Sequence, residues 1–248
     1  MTNLLVDTNS LGSRAFYTGD LQFFRMVQIV IDQIAPDYVF FAFDSVTSWR
    51  KAIYPEYKAN RRPQDDNAKH MRDMRIAYLR KLWAALKGGG FTCLHAADYE
   101  ADDIIGTLVA QLDSEKYVLS GDKDLMQLIN KDTKVIYIPS SFGNRRICDA
   151  AACIEITGYA PDQQVLYKAL VGEATDNIPG TPKIGRKRAK TLLPSNYSTL
   201  VETAPVKANL AAFQLSYKLA QIQQDVPLTI VKSKGNISKA LQIYKGLK

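Results

Sequence analysis

Four short apolar runs, each followed closely by carboxylates, fix the kind of fold this chain can adopt. Asn3 to Val6 ends in Asp7, and Tyr38 to Phe43 ends in Asp44. Phe91 to Leu94 precedes Glu100, Asp102 and Asp103, which open a helical stretch. Tyr117 to Leu119 runs into Ser120-Gly121-Asp122-Lys123-Asp124. Runs of this length, separated by segments of helical periodicity, predict βα alternation and so an α/β fold with a mostly parallel central sheet flanked by helices. The helical segments are Leu21 to Ile34, Ala68 to Leu86 and about Ala101 to Leu112. The first stops before Pro36 and the second at Gly88-Gly89-Gly90, both strong breakers. Asp124 to Ile129 reads as a further helix, Lys134 to Ile138 as a strand, and Arg145 to Cys148 as a segment able to pair beside it. From about Ala150 strand signals fade and short helices between Pro/Gly turns take over. That places an α/β domain over residues 1–149 and a helical region over 150–248.

In an open parallel sheet the carboxyl ends of the strands share one edge, where crevices form. Seven carboxylates from four segments (Asp7, Asp44, Glu100, Asp102, Asp103, Asp122 and Asp124) are expected to converge there. Each has an ordinary explanation when taken alone. An Asp after a strand serves as a turn residue or helix N-cap, and acids in a first helical turn face a favourable dipole. Those explanations do not predict four recurrences at the same topological place. Crowded carboxylates repel strongly at low dielectric, and hard divalent cations relieve that repulsion. An oxygen-only donor set suits Mg²⁺ or Mn²⁺. With three cysteines, no CxxC and two histidines, a structural zinc site is not expected.

Charge is distributed unevenly. Between Thr47 and Lys87 lie 11 Lys/Arg against 4 acids, which leaves the rest of the chain balanced and accounts for the net charge of +7. A local basic block of this kind points to a polyanion, most simply a nucleic-acid backbone. No run approaches the roughly 20 apolar residues of a membrane span, and the N-terminus carries no basic region followed by an apolar one. Together with the unpaired cysteine count this sets the expectation of a cytoplasmic protein, bacterial or in a phage-infected host, without a membrane partner.

Several motifs in fixed order carry a resemblance. They are Val6-Asp7-Thr8-Asn9, Phe41-Ala42-Phe43-Asp44-Ser45, Tyr57-Lys58-Ala59-Asn60-Arg61 and Tyr99-Glu100-Ala101-Asp102-Asp103. Ser120-Gly121-Asp122-Lys123-Asp124-Leu125 and Gly172-Glu173-Ala174-Thr175-Asp176-Asn177-Ile178-Pro179-Gly180 complete the set. Over roughly Asn3 to Leu193 the chain resembles the 5′-nuclease (flap endonuclease) family, which includes bacteriophage enzymes and the N-terminal nuclease domain of bacterial DNA polymerase I.

The resemblance implies a PIN-like α/β domain with a helical arch within residues 45–88 and a C-terminal helix–hairpin–helix (helix–three-turn–helix) element. It adds Asp176 to the acids around two divalent metal ions, and puts Glu173, one methylene longer, where the family usually carries Asp. Two such metals supply a metal-bound hydroxide and stabilise the charge of an in-line displacement on a phosphodiester. Lys58 and Arg61 are implied at the scissile phosphate, with Arg50 beside them on the DNA backbone and Tyr54, Tyr57 and Tyr78 as candidate base-stacking residues. Tyr78 also suits the core. His70 and His95 are given no role. Gly180, Lys183, Gly185, Lys187 and Arg188 belong to the hairpin that binds a duplex phosphate, where a K⁺ held by hairpin carbonyls is a family feature, and Lys168 approaches the active site. The implied activity is a Mg²⁺-dependent 5′-3′ exonuclease and 5′-flap endonuclease in DNA replication or primer removal. It would act as a monomer on flaps, nicks or free 5′ ends, with replication proteins as candidate partners. A ribonuclease acting on RNA/DNA hybrids and a non-catalytic junction-binding protein are the alternatives.

Overall fold

The computed structural model describes residues 1–19, 21–61 and 63–247; Arg62 of the basic stretch lies outside them. In chain order the elements are β1 (Thr2–Asp7), α1 (Thr8–Thr18), α2 (Gln22–Ile34), β2 (Tyr38–Ala42), α3 (Trp49–Ile53), α4 (Asp66–Gly88) and β3 (Thr92–Leu94). Next come α5 (Ala101–Gln111), β4 (Glu115–Ser120), β5 (Thr133–Tyr137), β6 (Arg146–Cys148) and α6 (Ala150–Thr157). The remainder is helical: α7 (Gln164–Val171), α8 (Arg186–Leu192), α9 (Tyr197–Glu202), α10 (Ala204–Lys207), α11 (Leu210–Ala220) and α12 (Ile237–Gly246). Contacts divide the chain into two compact units. The first comprises residues 1–48, 63–152 and 223–248, and the second residues 49–62 and 153–222. Residues 223–247, grouped with the helical region on sequence grounds, thus pack in the first unit.

The first unit is built on a six-stranded sheet of order β3-β2-β1-β4-β5-β6, parallel except for the antiparallel edge strand β6. The mostly parallel sheet flanked by helices is the architecture the apolar runs predict. Its central strands are covered on both faces, which is why they read as unbroken apolar runs rather than alternating ones. Leu4, Leu5, Val6, Phe40 and Phe41 have no exposed surface. Each such side chain contributes about 1.5–3 kcal/mol relative to leaving it in water. Strand order reverses across β1, with β2 and β3 to one side and β4 and β5 to the other. The carboxyl ends of β1 and β4 therefore flank the topological switch point where a crevice opens.

Helix boundaries follow the local chemistry. Asp65 caps α4 by accepting the Ala68 N–H at 2.7 Å, and α2 stops at Ala35, which takes a left-handed conformation just before Pro36. Asp124 to Leu128, expected as an α-helix, is a 3₁₀ turn. Its backbone bonds span three residues, Met126 N–H to the Lys123 carbonyl at 2.9 Å and Ile129 N–H to the Met126 carbonyl at 3.2 Å, as in a short 3₁₀ run. Helix α1 was not apparent in the sequence, because Thr, Asn, Ser and Gly are weak helix formers. Its start is fixed by the Asp7 carboxylate, which accepts the Ser10 N–H at 3.0 Å.

The second unit is helical. Leu166, Ala169 and Leu170 of α7 share a buried cluster with Ile184, Ala189, Leu200, Val206 and Phe213. A smaller cluster joins Tyr57 to Ile178, Leu219 and Ala220. Gly172 and Gly180 let the loop between them close on itself. Both have positive φ (78° and 72°), and a Cβ on Gly180 would lie 2.5 Å from the Gly172 nitrogen. The Glu173 and Ile178 amides exchange hydrogen bonds at 2.9 Å each, and this tight loop presents residues 174–177. Among the described residues no helix is long and apolar enough to cross a membrane.

Candidate active site

Asp7 ends β1 and is almost fully buried. Its Oδ2 accepts from Ser120 Oγ at 2.6 Å and its Oδ1 from the Ser10 N–H. Burial pushes its carboxyl up from 3.8 to about 7; the Ser120 and Ser10 hydrogen bonds oppose this, while the charges of Asp44 and Asp122 add to it. Carboxylates from β1, β2 and β4 thus act on one another, as their common place at the strand ends predicts. Ser120 also accepts the Asp122 N–H at 2.9 Å, and Asp122 Oδ1 accepts the Asp124 N–H at 2.9 Å. One serine therefore ties the β4 acids to Asp7.

Asp44 is held from two sides. Asn9 Nδ2 donates to its Oδ2 at 2.7 Å, and the Asp44 N–H returns a bond to Asn9 Oδ1 at 3.1 Å. Its Oδ1 accepts the Ala101 N–H at 2.8 Å, the first amide of α5, so Asp44 adjoins the turn that carries Glu100 and Asp102. The first unit accordingly gathers Asp7, Asp44 and Asp122, with Glu100, Asp102 and Asp124 tied to them through one amide or one turn. Asp103 departs from the expected ligand role. It has no exposed surface, its Oδ2 accepts the Glu100 N–H at 3.3 Å, and its Oδ1 accepts the Gln223 N–H at 2.9 Å. Both oxygens serve the fold. For the others the donor chemistry fits a divalent metal: the oxygens are hard, and a buried carboxyl beside two further acids is relieved by a cation.

In the second unit Asp176 is the hub. It accepts from Tyr57 Oη at 3.4 Å, forms a close ion pair with Arg61, and lies 3.7 Å from Lys58 Nζ. Lys58 has a left-handed backbone, and its N–H donates to the Asp176 carbonyl at 2.9 Å, which locks the Tyr57–Arg61 segment to the 172–180 loop. Glu173 pairs with Lys168 at 2.5 Å. Ligation of a metal by Glu173 or Asp176 therefore means exchanging an ion pair for the cation.

Arg50, Tyr57 and the Gly180 amide depart from their expected roles. Arg50 is not on the surface for DNA: it is 3% exposed, donates to the Leu219 and Gln221 carbonyls at 2.9 and 2.8 Å, and stacks on Trp49. Tyr57 is buried in the core of the unit and does not offer a face for base stacking, whereas Tyr54 is half-buried against the same cluster. Tyr78 is a core residue of the first unit, the role its sequence also suits. The Gly180 amide, expected to meet phosphate, donates to Ser216 Oγ at 3.0 Å inside the unit. Lys183, Gly185, Lys187 and Arg188 are exposed. Lys183 adopts φ 65°, so a lysine takes the left-handed conformation that glycine usually supplies in such a hairpin. Asn9, Ser10 and Ser120 carry positioning bonds that sequence reasoning did not assign. Arg14 adds another, bonding to the Ser140 and Gly121 carbonyls at 3.1 and 3.4 Å. Asn9, Ser10 and Ser120 stand within three residues of Asp7 or Asp122, and Asn9 and Ser120 fall inside the motifs quoted above, whereas Arg14 carries no such signal.

Residues 2–158 match the family model of the 5′-3′ exonuclease N-terminal resolvase-like domain, and residues 159–241 that of the 5′-3′ exonuclease C-terminal SAM fold. The chain is 33% identical over 245 residues to DNA polymerase I of Caldicellulosiruptor bescii, a match covering 91% of this chain and 27% of that protein. It is 32% identical to a 5′-3′ exonuclease of Buchnera aphidicola subsp. Acyrthosiphon pisum, covering 81% of this chain and 76% of that protein. Two structures of the T5 D15 protein share its fold. One was co-crystallised with metal ions (TM-score 0.78); the other is a bacteriophage T5 D15 flap endonuclease complex with DNA and metal ions (0.74). Both are 19% identical and cover 90% of this chain, and 90% and 89% of theirs. The chain spans about a quarter of the length of the DNA polymerase I relative and most of the length of the other two.

Proposed function

The chain belongs to the 5′-3′ exonuclease family and is a nuclease, and from that premise we propose a divalent-metal-dependent, structure-specific 5′ nuclease on DNA, using Mg²⁺ and serving replication or primer removal in the cytoplasm. The observation that carries the metal reading is Asp7: a buried carboxylate pushed up to about 7 by burial, Asp44 and Asp122 suits a site built around a cation. Asp7, Asp44, Glu100, Asp102, Asp122 and Asp124 would hold it. Bound there, divalent metal supplies an activated water and charge stabilisation at the phosphodiester.

What this chain's own residues contribute can be read from their contacts. Ser120 and Asn9 orient the Asp7 and Asp44 carboxylates before any cation arrives. Lys58 and Arg61, ion-paired to Asp176, are proposed to exchange that carboxylate for the scissile phosphate. Lys183, Lys187 and Arg188 are exposed on the hairpin and following helix of the second unit, where duplex phosphates would be bound without reading sequence. The proposed division of labour is a first unit (residues 1–48, 63–152 and 223–248) that carries the metal-binding carboxylates and a helical second unit (residues 49–62 and 153–222) that binds DNA.

The test is direct. An end-labelled 5′-flap duplex incubated with Mg²⁺ gives short 5′ products, and none in excess chelator. Asp122→Ala lowers the rate more than about a hundredfold while retaining flap binding. Cleavage that survives chelation, or that prefers an RNA/DNA hybrid over the DNA flap, refutes the assignment.

A further inference from the structure

Between α11 and α12 the chain runs without regular structure, yet its first residues in the first unit are held by two side chains of α5. The Gln223 N–H donates to Asp103 Oδ1 at 2.9 Å, and the Val226 N–H donates to Thr107 Oγ1 at 3.0 Å. Asp103 and Thr107 lie one helical turn apart, so they face the same side, and both are fully buried. Thr107 in turn donates to the Asp103 carbonyl at 2.9 Å. Val226 is 1% exposed, and Pro227 after it favours an extended backbone.

The same Asp103 accepts the Glu100 N–H through its second oxygen, closing the first turn of α5. That turn carries Glu100 and Asp102, and its Ala101 N–H holds Asp44. We propose that the Gln223–Val226 strap is a positioning element for the metal-binding carboxylates, acting through Asp103 and Thr107 to fix the start of α5. The role rests on the metal reading given above. A buried carboxylate oxygen that loses a donor is less well solvated in a dry environment, so it turns or draws in water. Any such movement at Asp103 is passed to the Glu100 amide and so to three acids together. Residues that orient ligands without touching the metal act on its affinity in this way.

Thr107→Val keeps the side-chain shape while removing the acceptor for Val226 and the donor to Asp103, and Thr107→Ser restores the hydroxyl. Gln223→Pro deletes the N–H given to Asp103 and leaves every α5 side chain in place, so it serves if Thr107→Val fails to fold. Two quantities are read on the whole chain: amide hydrogen exchange at residues 101–104 without metal, and the affinity for Mn²⁺ alone by calorimetry. Thr107→Val and Gln223→Pro are expected to speed exchange there on the order of tenfold and to weaken Mn²⁺ about tenfold, with Thr107→Ser close to wild type in both. Lower denaturation midpoints with unchanged exchange at 101–104 and unchanged Mn²⁺ affinity overturn the proposal, because a merely structural strap behaves that way. Wild-type protein that binds no Mn²⁺ overturns the metal reading instead, and the exchange data then still report whether the strap fixes α5.

Discussion

Removing the charge of Asp7 should shift the stability of the metal-free protein in favour of the variant as pH rises from acid to alkaline. In the folded state this carboxyl is pushed from 3.8 to about 7. At about 1.4 kcal/mol per tenfold change in proton affinity, that displacement amounts to about 4 kcal/mol. The sign follows from proton counting. Between pH 3.8 and about 7 the folded protein keeps a proton on Asp7 that the unfolded chain has released, so stability falls as pH rises through that window and stays low above it. Asp7→Asn has nothing to titrate. Any cost of setting an amide against Ser120 Oγ or the Ser10 N–H is common to every pH. The difference in unfolding free energy between Asp7→Asn and wild type should therefore move in favour of the variant by about 2–3 kcal/mol from pH 5 to pH 8. Urea titrations in chelator at the two pH values measure it. A difference that stays constant to within about 0.5 kcal/mol refutes the placement of this carboxyl in a dry, like-charged site. Mg²⁺ at pH 8 should restore the wild type and leave the variant unmoved.

The second unit offers two further tests. Arg50→Ala leaves the Leu219 and Gln221 carbonyls without their donor and vacates the face of Trp49, so it should cost about 3 kcal/mol while leaving the salt dependence of DNA binding unchanged. A shallower salt slope with undiminished stability would instead put Arg50 on phosphate. Gly180→Ala sets a Cβ 2.5 Å from the Gly172 nitrogen at φ 72° and should lose about 3 kcal/mol or more. A variant as stable as wild type in thermal unfolding would show that the 172–180 loop opens readily.

The sheet was legible because its strands are buried on both faces. A run such as Tyr38 to Phe43 can satisfy such a burden only inside a covered parallel sheet. Helix α1 and the strap were not legible, for the opposite reason. Thr8–Thr18 has little helical preference of its own and owes its start to Asp7, whose role as a cap is fixed by where β1 ends. The strap has no periodicity at all. Its order comes from Asp103 and Thr107, more than a hundred residues earlier in the chain. No local pattern records a bond of that kind.

The site divides along the same line. Carboxylates at strand ends stand out because several charges at one edge need a common explanation, and the structure adds the mutual influence of Asp7, Asp44 and Asp122. Basic residues give no such signal, since a lysine or arginine is unremarkable on any surface. The basic stretch from Thr47 to Lys87 therefore reads as uniform, yet its members have separate fates. Arg50 is spent on two carbonyls inside the second unit, while Lys58 and Arg61 meet Asp176. Tyr57 follows the same rule, its ring enclosed and its hydroxyl given to that carboxylate. An acid announces its role by the charges it must neutralise, whereas a base reveals its role only through the partner that the fold brings to it.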